Sequence, residues 1–470
     1  MAGDPVRLTA SAIAAAVGGR LVRGNAERVF AGVSIDSRSV GRGQLFIGIR
    51  GDRFDGATFA GAAAAAGAAG VMVPHGSAVL PEQDGGTVVI EVDDGVAALQ
   101  ALGRWVRRAS GARVTAITGS AGKTTTKEIA AEFLSARYRV FRNEGNLNNH
   151  IGLPLSLVEL RTRPEMAVVE LGMSHPGEIR TLVALAEPEM RVWTNVGDAH
   201  IGFFDSPDAI ADAKAEILEG ADAASVLIAN ADDPRVTARI GAFPGRVITF
   251  GRSEAADVRA VEVVDEGIDG TSARVRMPGG EGRLDVPLAG SGNLANVLAA
   301  AAVASAWDVP FDAIASRCAA IRPARRRGEV VALARGVTLV DDSYNSSPAA
   351  LKEALRTIAR ARRHARRVAL LGEMLELGTH AVPLHEACGR AVAESGVARL
   401  VAVGGPPAER LAAAARDAGM PADSVRHAAT AAEAAEMAAG LLEPGDLVLV
   451  KGSRGVRMDI VADRVRDEWR

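Results

Sequence analysis

Short, uninterrupted apolar runs separated by longer alanine-rich stretches set the rhythm of this chain. Val114–Ile117, Ala167-Val-Val-Glu170, Val192-Trp-Thr-Asn195 and Ser225-Val-Leu-Ile-Ala229 alternate with segments whose apolar positions recur at helical spacing. Runs without polar alternation suit strands buried on both faces, so the pattern predicts βαβ units with a mostly parallel sheet. The same alternation resumes after Pro323, with strands predicted at Val337–Val340, Val368–Leu371, Arg399–Val403 and Asp446–Val450. Glycines follow three of these at Gly372, Gly404 and Gly452, where loops at carboxyl strand ends form ligand crevices. Residues 1–110 mix short strands, Leu45–Ile49 and Thr87–Val92, with helices predicted over 57–69 and 96–109. A different texture, short strands and turns, fills 247–288 and predicts a small antiparallel insertion before a helix over Ala295–Trp307. The textures divide the chain into 1–110, 111–322 and 323–470, a small α/β domain ahead of two larger ones.

Composition narrows the class. The 470 residues are 48% hydrophobic, ample for several cores, yet no segment approaches the roughly 18 continuous apolar residues of a membrane span. The start, Met-Ala-Gly-Asp-Pro-Val-Arg, lacks the layout of a signal peptide. Cys318 and Cys388 offer neither metal spacing nor a disulfide framework, which suits a reducing compartment and two buried thiols. With a net charge of −3, basic residues gather only locally, at Arg104–Arg108, Arg322–Arg327 and Arg360–Arg367, and a nucleic-acid partner is not predicted.

The chemistry centres on Val114–Thr126. A strand runs into the turn Gly119-Ser120-Ala121-Gly122, followed by Lys123, Thr124, Thr125 and a helix predicted over 125–137. A glycine-bounded loop opening a helix presents backbone N–H groups and a positive dipole end to phosphates. Lys123 would reach the β/γ-phosphates and the Thr124 hydroxyl would sit on Mg²⁺. The loop is two residues shorter than the general pattern, but its strand and helix context predicts a site for ATP or GTP. A metal–nucleotide site needs a carboxylate, and Glu170 ends the next strong strand. His200 follows a third strand end on the same predicted face. Lys214 lies in a helix marked by Ile210 and Ile217, and its spacing alone reads as a solvated lysine among Asp212, Glu216 and Glu219. Asn146-Leu-Asn-Asn149 is either a turn or a polar recognition loop. Asp341-Asp342 closes a strand before Tyr344-Asn345 and could hold ribose hydroxyls or cap the helix at Pro348. Asn293 and Asn296 could cap a helix or contact a base.

Taken together, these strings resemble the Mur ligase family over nearly the whole chain. They are Thr118–Thr124, Gly145–Pro154, Glu170–Glu178, Ala199-His200, Ala213–Ile217, Asn230–Pro234, Asp341–Asn345, Leu371–Gly378 and Val450–Arg454. The shortened phosphate loop is the form this family uses. The resemblance implies an α/β chain of three domains: a small N-terminal α/β domain receiving a UDP-linked substrate, a central P-loop ATPase-like domain with a mostly parallel sheet, and a C-terminal Rossmann-like domain. It implies ATP-dependent joining of D-Ala-D-Ala to UDP-MurNAc-tripeptide through an acyl phosphate, in the cytoplasm, by a monomer. Carried over residue by residue, it implies catalytic roles for Lys123, His200 and Lys214. Gly119 to Thr125 with Asn293, Arg327 and Asp342 are implied for ATP. Thr124, Glu170, His200 and a carbamylated Lys214 are implied for Mg²⁺. Ser34, Asp36, Ser37, Arg38, Asn146, Asn149 and Asn345 are implied for the other substrates. The sequence departs from the family at Gly292, Arg326, Gly202 and Asp205. Rival readings are a sister ligase, a folylpolyglutamate-type synthase and a nucleotide switch; the switch should carry Asn-Lys-x-Asp, which is absent.

Overall fold

The computed structural model describes residues 4–51, 54–77 and 86–470. Its strands form three sheets, of five, nine and six strands, dressed with helices as an α/β architecture requires. By compactness the chain divides into two units: one of Met1–Ile117, Arg137–Arg191 and Glu216–Ser225, the other of Thr118–Ala136, Val192–Ala215 and Val226–Arg470. Among the described residues, no helix is long and apolar enough to cross a membrane.

Within the first unit, the five-stranded sheet runs Arg20–Arg23, Val88–Val92, Gly70–Pro74, Leu45–Ile47, Val33–Ser34. Only its first pair is antiparallel. Val140–Arg142, Met166–Glu170 and Arg113–Thr118 are consecutive parallel neighbours, and Met166 to Glu170 are all buried, as their unbroken apolar character predicts. The helix predicted over 57–69 is shorter. A 3₁₀ turn at Gly56–Phe59 leads into Ala60–Ala65, started by the Asp55 carboxylate accepting from Ala57 N–H.

Within the second unit, Val226–Asn230, Arg246–Gly251 and Val258–Asp265 are parallel neighbours. Thr271–Met277 and Gly280–Val286 continue from them as antiparallel strands. The antiparallel patch predicted within 247–288 is therefore present as Val258–Asp265, Thr271–Met277 and Gly280–Val286, and it is joined to the parallel strands through the pairing of Val258–Asp265 with Arg246–Gly251. The next helix, Gly292–Ala306, buries Leu294 and every residue from Val297 to Ala304, which explains its alanine content. Small side chains let neighbours approach on all sides, so no polar face is needed. The six-stranded sheet runs Glu329–Ala332, Thr338–Asp342, Leu447–Lys451, Arg367–Gly372, Arg399–Val403, Val425–Ala428, with only the first pair antiparallel. Cys318 and Cys388 are buried as predicted, and burial pushes their thiols up to about 12 and about 11.

The arginine cluster at 104–108 works inside the molecule. Arg104 and Arg108 both donate to Glu187, while Arg107 is buried. Arg107 donates to the carbonyls of Ala186, Ala112 and Glu187 and to the Glu189 carboxylate. Glu189 in turn accepts from Val114 N–H at 2.6 Å, at the start of the strand that leads to the phosphate loop. Removing the guanidinium takes a donor from three carbonyls and one of two partners from the Glu189 carboxylate. Arg107→Met is expected to lower the unfolding free energy by about 3 kcal/mol, read as an earlier chemical-denaturation midpoint; an unchanged midpoint would show that the stitch contributes nothing net.

Candidate active site

The strand Arg113–Thr118 ends where the loop begins, and the loop's shape is set by contacts that exclude side chains. A Cβ on Gly119 would meet Thr194 Oγ1 at 1.9 Å, and one on Gly122, at φ +80°, would meet Asn296 Oδ1 at 2.2 Å. The loop is clasped by the segment after Met190–Trp193. Ser120 N–H donates to Asn195 O at 3.0 Å, Ala121 N–H to Asn195 Oδ1 at 2.9 Å, and Thr194 Oγ1 to Ala121 O at 2.9 Å. Ser120 Oγ and Gly197 bond reciprocally. Gly122 then occupies the N-cap of Lys123–Leu134 and brings no side chain to that helix start. The positive dipole end therefore opens on the loop rather than on a capping carboxylate. Lys123 Nζ folds back onto Gly119 O at 2.7 Å. Thr124 is buried, and Thr125 is half-buried in the same turn.

Lys214 overturns the solvated reading. It is 1% exposed in the helix Pro207–Ala215. The helical signal was present: Lys214 falls four residues after Ile210 and three after Ala211, both buried, so it shares their stripe. Burial, and after it the charge of Lys123, pushes the Lys214 amine well below its ordinary range. Among the described residues no three His, Cys, Asp or Glu side chains gather into a metal-binding group. A hard cation would have to draw on a mixed donor set rather than on a cluster of those side chains.

His200 sits in the left-handed region at φ +65° and its Nδ1 lies 2.5 Å from Glu376 Oε2. No argument from local spacing pairs two residues so far apart in sequence. Asn293 and Asn296 lie inside the first turns of their helix rather than ahead of it. Asn293 Nδ2 donates to Ala289 O, Asn296 Nδ2 to Asn293 Oδ1, and Thr126 Oγ1 to Asn296 Oδ1, linking this helix start to the phosphate-loop helix.

Asp341 and Asp342 do not cap the helix at Pro348. Asp341 is fully buried, accepting from Ser343 and paired with Arg466. Asp342 pairs with the buried Lys451 at 2.5 Å, and Lys451 also donates to Asn345 O. Arg326 holds φ +63°, the conformation that a glycine would take without strain, and its guanidinium pairs with Asp459 and Asp463. Arg327 instead stacks over the Tyr344 ring at 4.0 Å. The two neighbouring arginines thus have separate tasks. Gly292 has only ordinary van der Waals room around it, so the departure there distorts nothing.

In the first unit, Glu170 is buried, accepting from Asn148 Nδ2 at 2.8 Å while its N–H donates to Asn143 Oδ1. Sequence reasoning missed both asparagines, although Asn148 lies within the asparagine-rich loop. Asn149 accepts from Ile151 and Gly152 N–H as an ordinary turn, and Asn146 is exposed. Ser34 Oγ bonds within its own turn to Asp36, and Asp36 pairs bidentately with Arg38, whose guanidinium draws the carboxyl down to about 2. Ser37 lies between them.

Similarity to known proteins agrees with this geometry. Three family descriptions match: "Mur ligase family, catalytic domain" over 29–107, "Mur ligase middle domain" over 117–304, and "Mur ligase, glutamate ligase domain" over 326–454. The UDP-N-acetylmuramoyl-tripeptide–D-alanyl-D-alanine ligase of Bacillus subtilis is 33% identical over 462 residues, covering 98% of this chain and 99% of that one. The crystal structure of MurF from Acinetobacter baumannii superposes with a TM-score of 0.88 at 28% identity, covering 99% and 100%. MurF from Thermotoga maritima in complex with ADP gives 0.79 at 27% identity, covering 93% and 97%.

The Lys214 amine sheds its proton more readily folded than unfolded. Below its ordinary value of 10.5 the unfolded chain therefore binds the additional proton, and stability rises with pH. Lys214→Met is expected to raise the thermal midpoint at pH 7 in CO₂-free buffer, with the gain shrinking toward pH 10.5. A variant that melts no higher than wild type at pH 7 would contradict the burial cost.

Proposed function

The chain belongs to the Mur ligase family, and from that premise we infer that it is the ATP-dependent ligase joining D-alanyl-D-alanine to UDP-N-acetylmuramoyl-tripeptide in peptidoglycan precursor synthesis. The observation that carries this is full-length similarity to ligases of that name, at 33% identity over 98% of the chain. The short glycine loop, its lysine and its uncapped helix start supply the nucleotide end.

The reaction brings anions together. The terminal carboxylate of the tripeptide attacks the γ-phosphorus of ATP, giving an acyl phosphate and ADP. The neutral amine of D-Ala-D-Ala then adds to the acyl carbon, and the tetrahedral adduct gives up the amine's proton and expels phosphate as the amide forms. Lys123 offsets charge on the phosphoryl group in transit, and the loop's rigid clasp holds that group in line. Mg²⁺ would supply further charge neutralisation. The resemblance assigns it Thr124, Glu170, His200 and Lys214, and the chemistry of the last fits in one respect. A buried lysine whose amine is pushed toward neutrality can add to CO₂, losing a proton and becoming an anionic carbamate with oxygen donors. Asn293, Arg327 and Asp342 are assigned to ATP, and Ser34, Asp36, Ser37, Arg38, Asn146, Asn149 and Asn345 to the remaining substrates. Action as a cytoplasmic monomer completes the reading.

Purified protein with ATP, Mg²⁺, UDP-MurNAc-tripeptide and D-Ala-D-Ala should release phosphate only when the dipeptide is present. Turnover with a single amino acid or glutamate, or hydrolysis without an acceptor, would refute the assignment. Lys123→Ala should cut turnover by about 10²–10³-fold with unchanged circular dichroism, and retained turnover would remove its phosphate role.

A further inference from the structure

The loop Glu373–Gly378, at the end of the strand Arg367–Gly372, is fixed by its own backbone. Glu373 N–H donates to Val403 O, and Ser453 N–H returns to Glu373 O. Met374 N–H donates to Nε2 of the buried His385, whose Nδ1 bonds Ala381 O at 2.7 Å. Leu375 N–H donates to Ser453 Oγ at 2.9 Å. Every residue from 373 to 375 is thus tied before Glu376 turns into the left-handed region at φ +64°.

From that loop Glu376 meets the His200 segment in two ways. Its carboxylate lies 2.5 Å from His200 Nδ1, and its backbone carbonyl accepts from Gly202 N–H at 2.9 Å. The two segments cross so closely that a Cβ on Gly202 would sit 2.5 Å from Gly378 N, and one on Gly378 2.8 Å from Gly202 Cα. Gly202, a departure from the family pattern, is therefore what this crossing requires. A carboxylate can only accept from a neutral imidazole, so the bonded nitrogen must carry the hydrogen and the other becomes the acceptor.

We propose that Glu376 is a positioning residue for the ligation, holding His200 in the Nδ1–H tautomer and in one ring orientation, so that Nε2 is presented as the donor atom of the site. The proposal rests on the reading that His200 serves the reaction. Groups that orient a functional histidine through its second nitrogen typically change affinity or activity by about 10–100-fold when removed.

The test has a readout independent of turnover. In metal-free protein at pH 8, ¹⁵N spectra of the imidazoles should show His200 as the Nδ1–H form in wild type and in Glu376→Gln. In Glu376→Ala the signal should move toward the Nε2–H form. Glu376→Ala should lower kcat about tenfold with little change in KM for ATP, Glu376→Gln should restore most of it, and Glu376→Ala should cost nothing further when added to His200→Ala. An unchanged tautomer in Glu376→Ala, or losses that multiply in the double variant, would overturn the proposal. If His200→Ala turned over normally, the assignment of His200 itself would fall, and with it the role of its partner; if His200→Ala were impaired and Glu376→Ala were not, only the positioning role would fall.

Discussion

A desolvated amine beside a second amine is the constraint around which the second unit is arranged. Lys214 is almost entirely buried, and the nearby charge of Lys123 adds to the burden of keeping it protonated. Both effects push the Lys214 amine toward its neutral form, and an anion nearby would oppose that push. The phosphate loop, built to admit anions and to exclude side chains, lies at Lys123. The same positive field that disfavours a protonated Lys214 would favour an anion at the loop.

Rigidity serves that field. Preorganised donors are effective because they need not reorient as charge moves. The loop is clasped through Thr194, Asn195 and Gly197 on one side and through Asn296 on the helix Gly292–Ala306. Far along the sequence, the Glu373–Gly378 loop is pinned by four backbone bonds before it reaches His200. The buried alanine helix contributes by its smallness, letting its first turn approach the phosphate loop closely enough to touch Gly122 and Thr126.

Much of this was legible in the sequence, for physical reasons. Parallel strands must be apolar on both faces, so the runs Ala167–Glu170 and Asp446–Val450 were readable, and the strands Met166–Glu170 and Leu447–Lys451 lie within one residue of them. A glycine-bounded turn between strand and helix has few uses besides anions, so Gly119–Thr124 was readable too. Pairings across long separations were not. Nothing local in Glu376 announces His200, nothing in Lys451 announces Asp342, and the role of Asn148 beside Glu170 depends on how its loop folds back. The antiparallel strands within 247–288 were readable from their turns, but that they continue a parallel run was not, because a strand's alternation reports exposure of its faces and not which strand lies beside it. Lys214 misled because a charged residue outweighed its place on the apolar stripe.

Arg326 carries a consequence for the solution behaviour of its segment. Where a glycine would reach a left-handed backbone at no steric cost, this chain holds an arginine there through Asp459 and Asp463 on the helix Met458–Glu468. Conformational permissiveness has been exchanged for Coulomb attraction. Charges that are partly exposed are screened over a distance of about 10 Å at 0.1 M salt and about 3 Å at 1 M. The turn leading to Arg327 thus carries an electrostatic contribution to its stability that salt can weaken, one that a glycine in the same place would not confer.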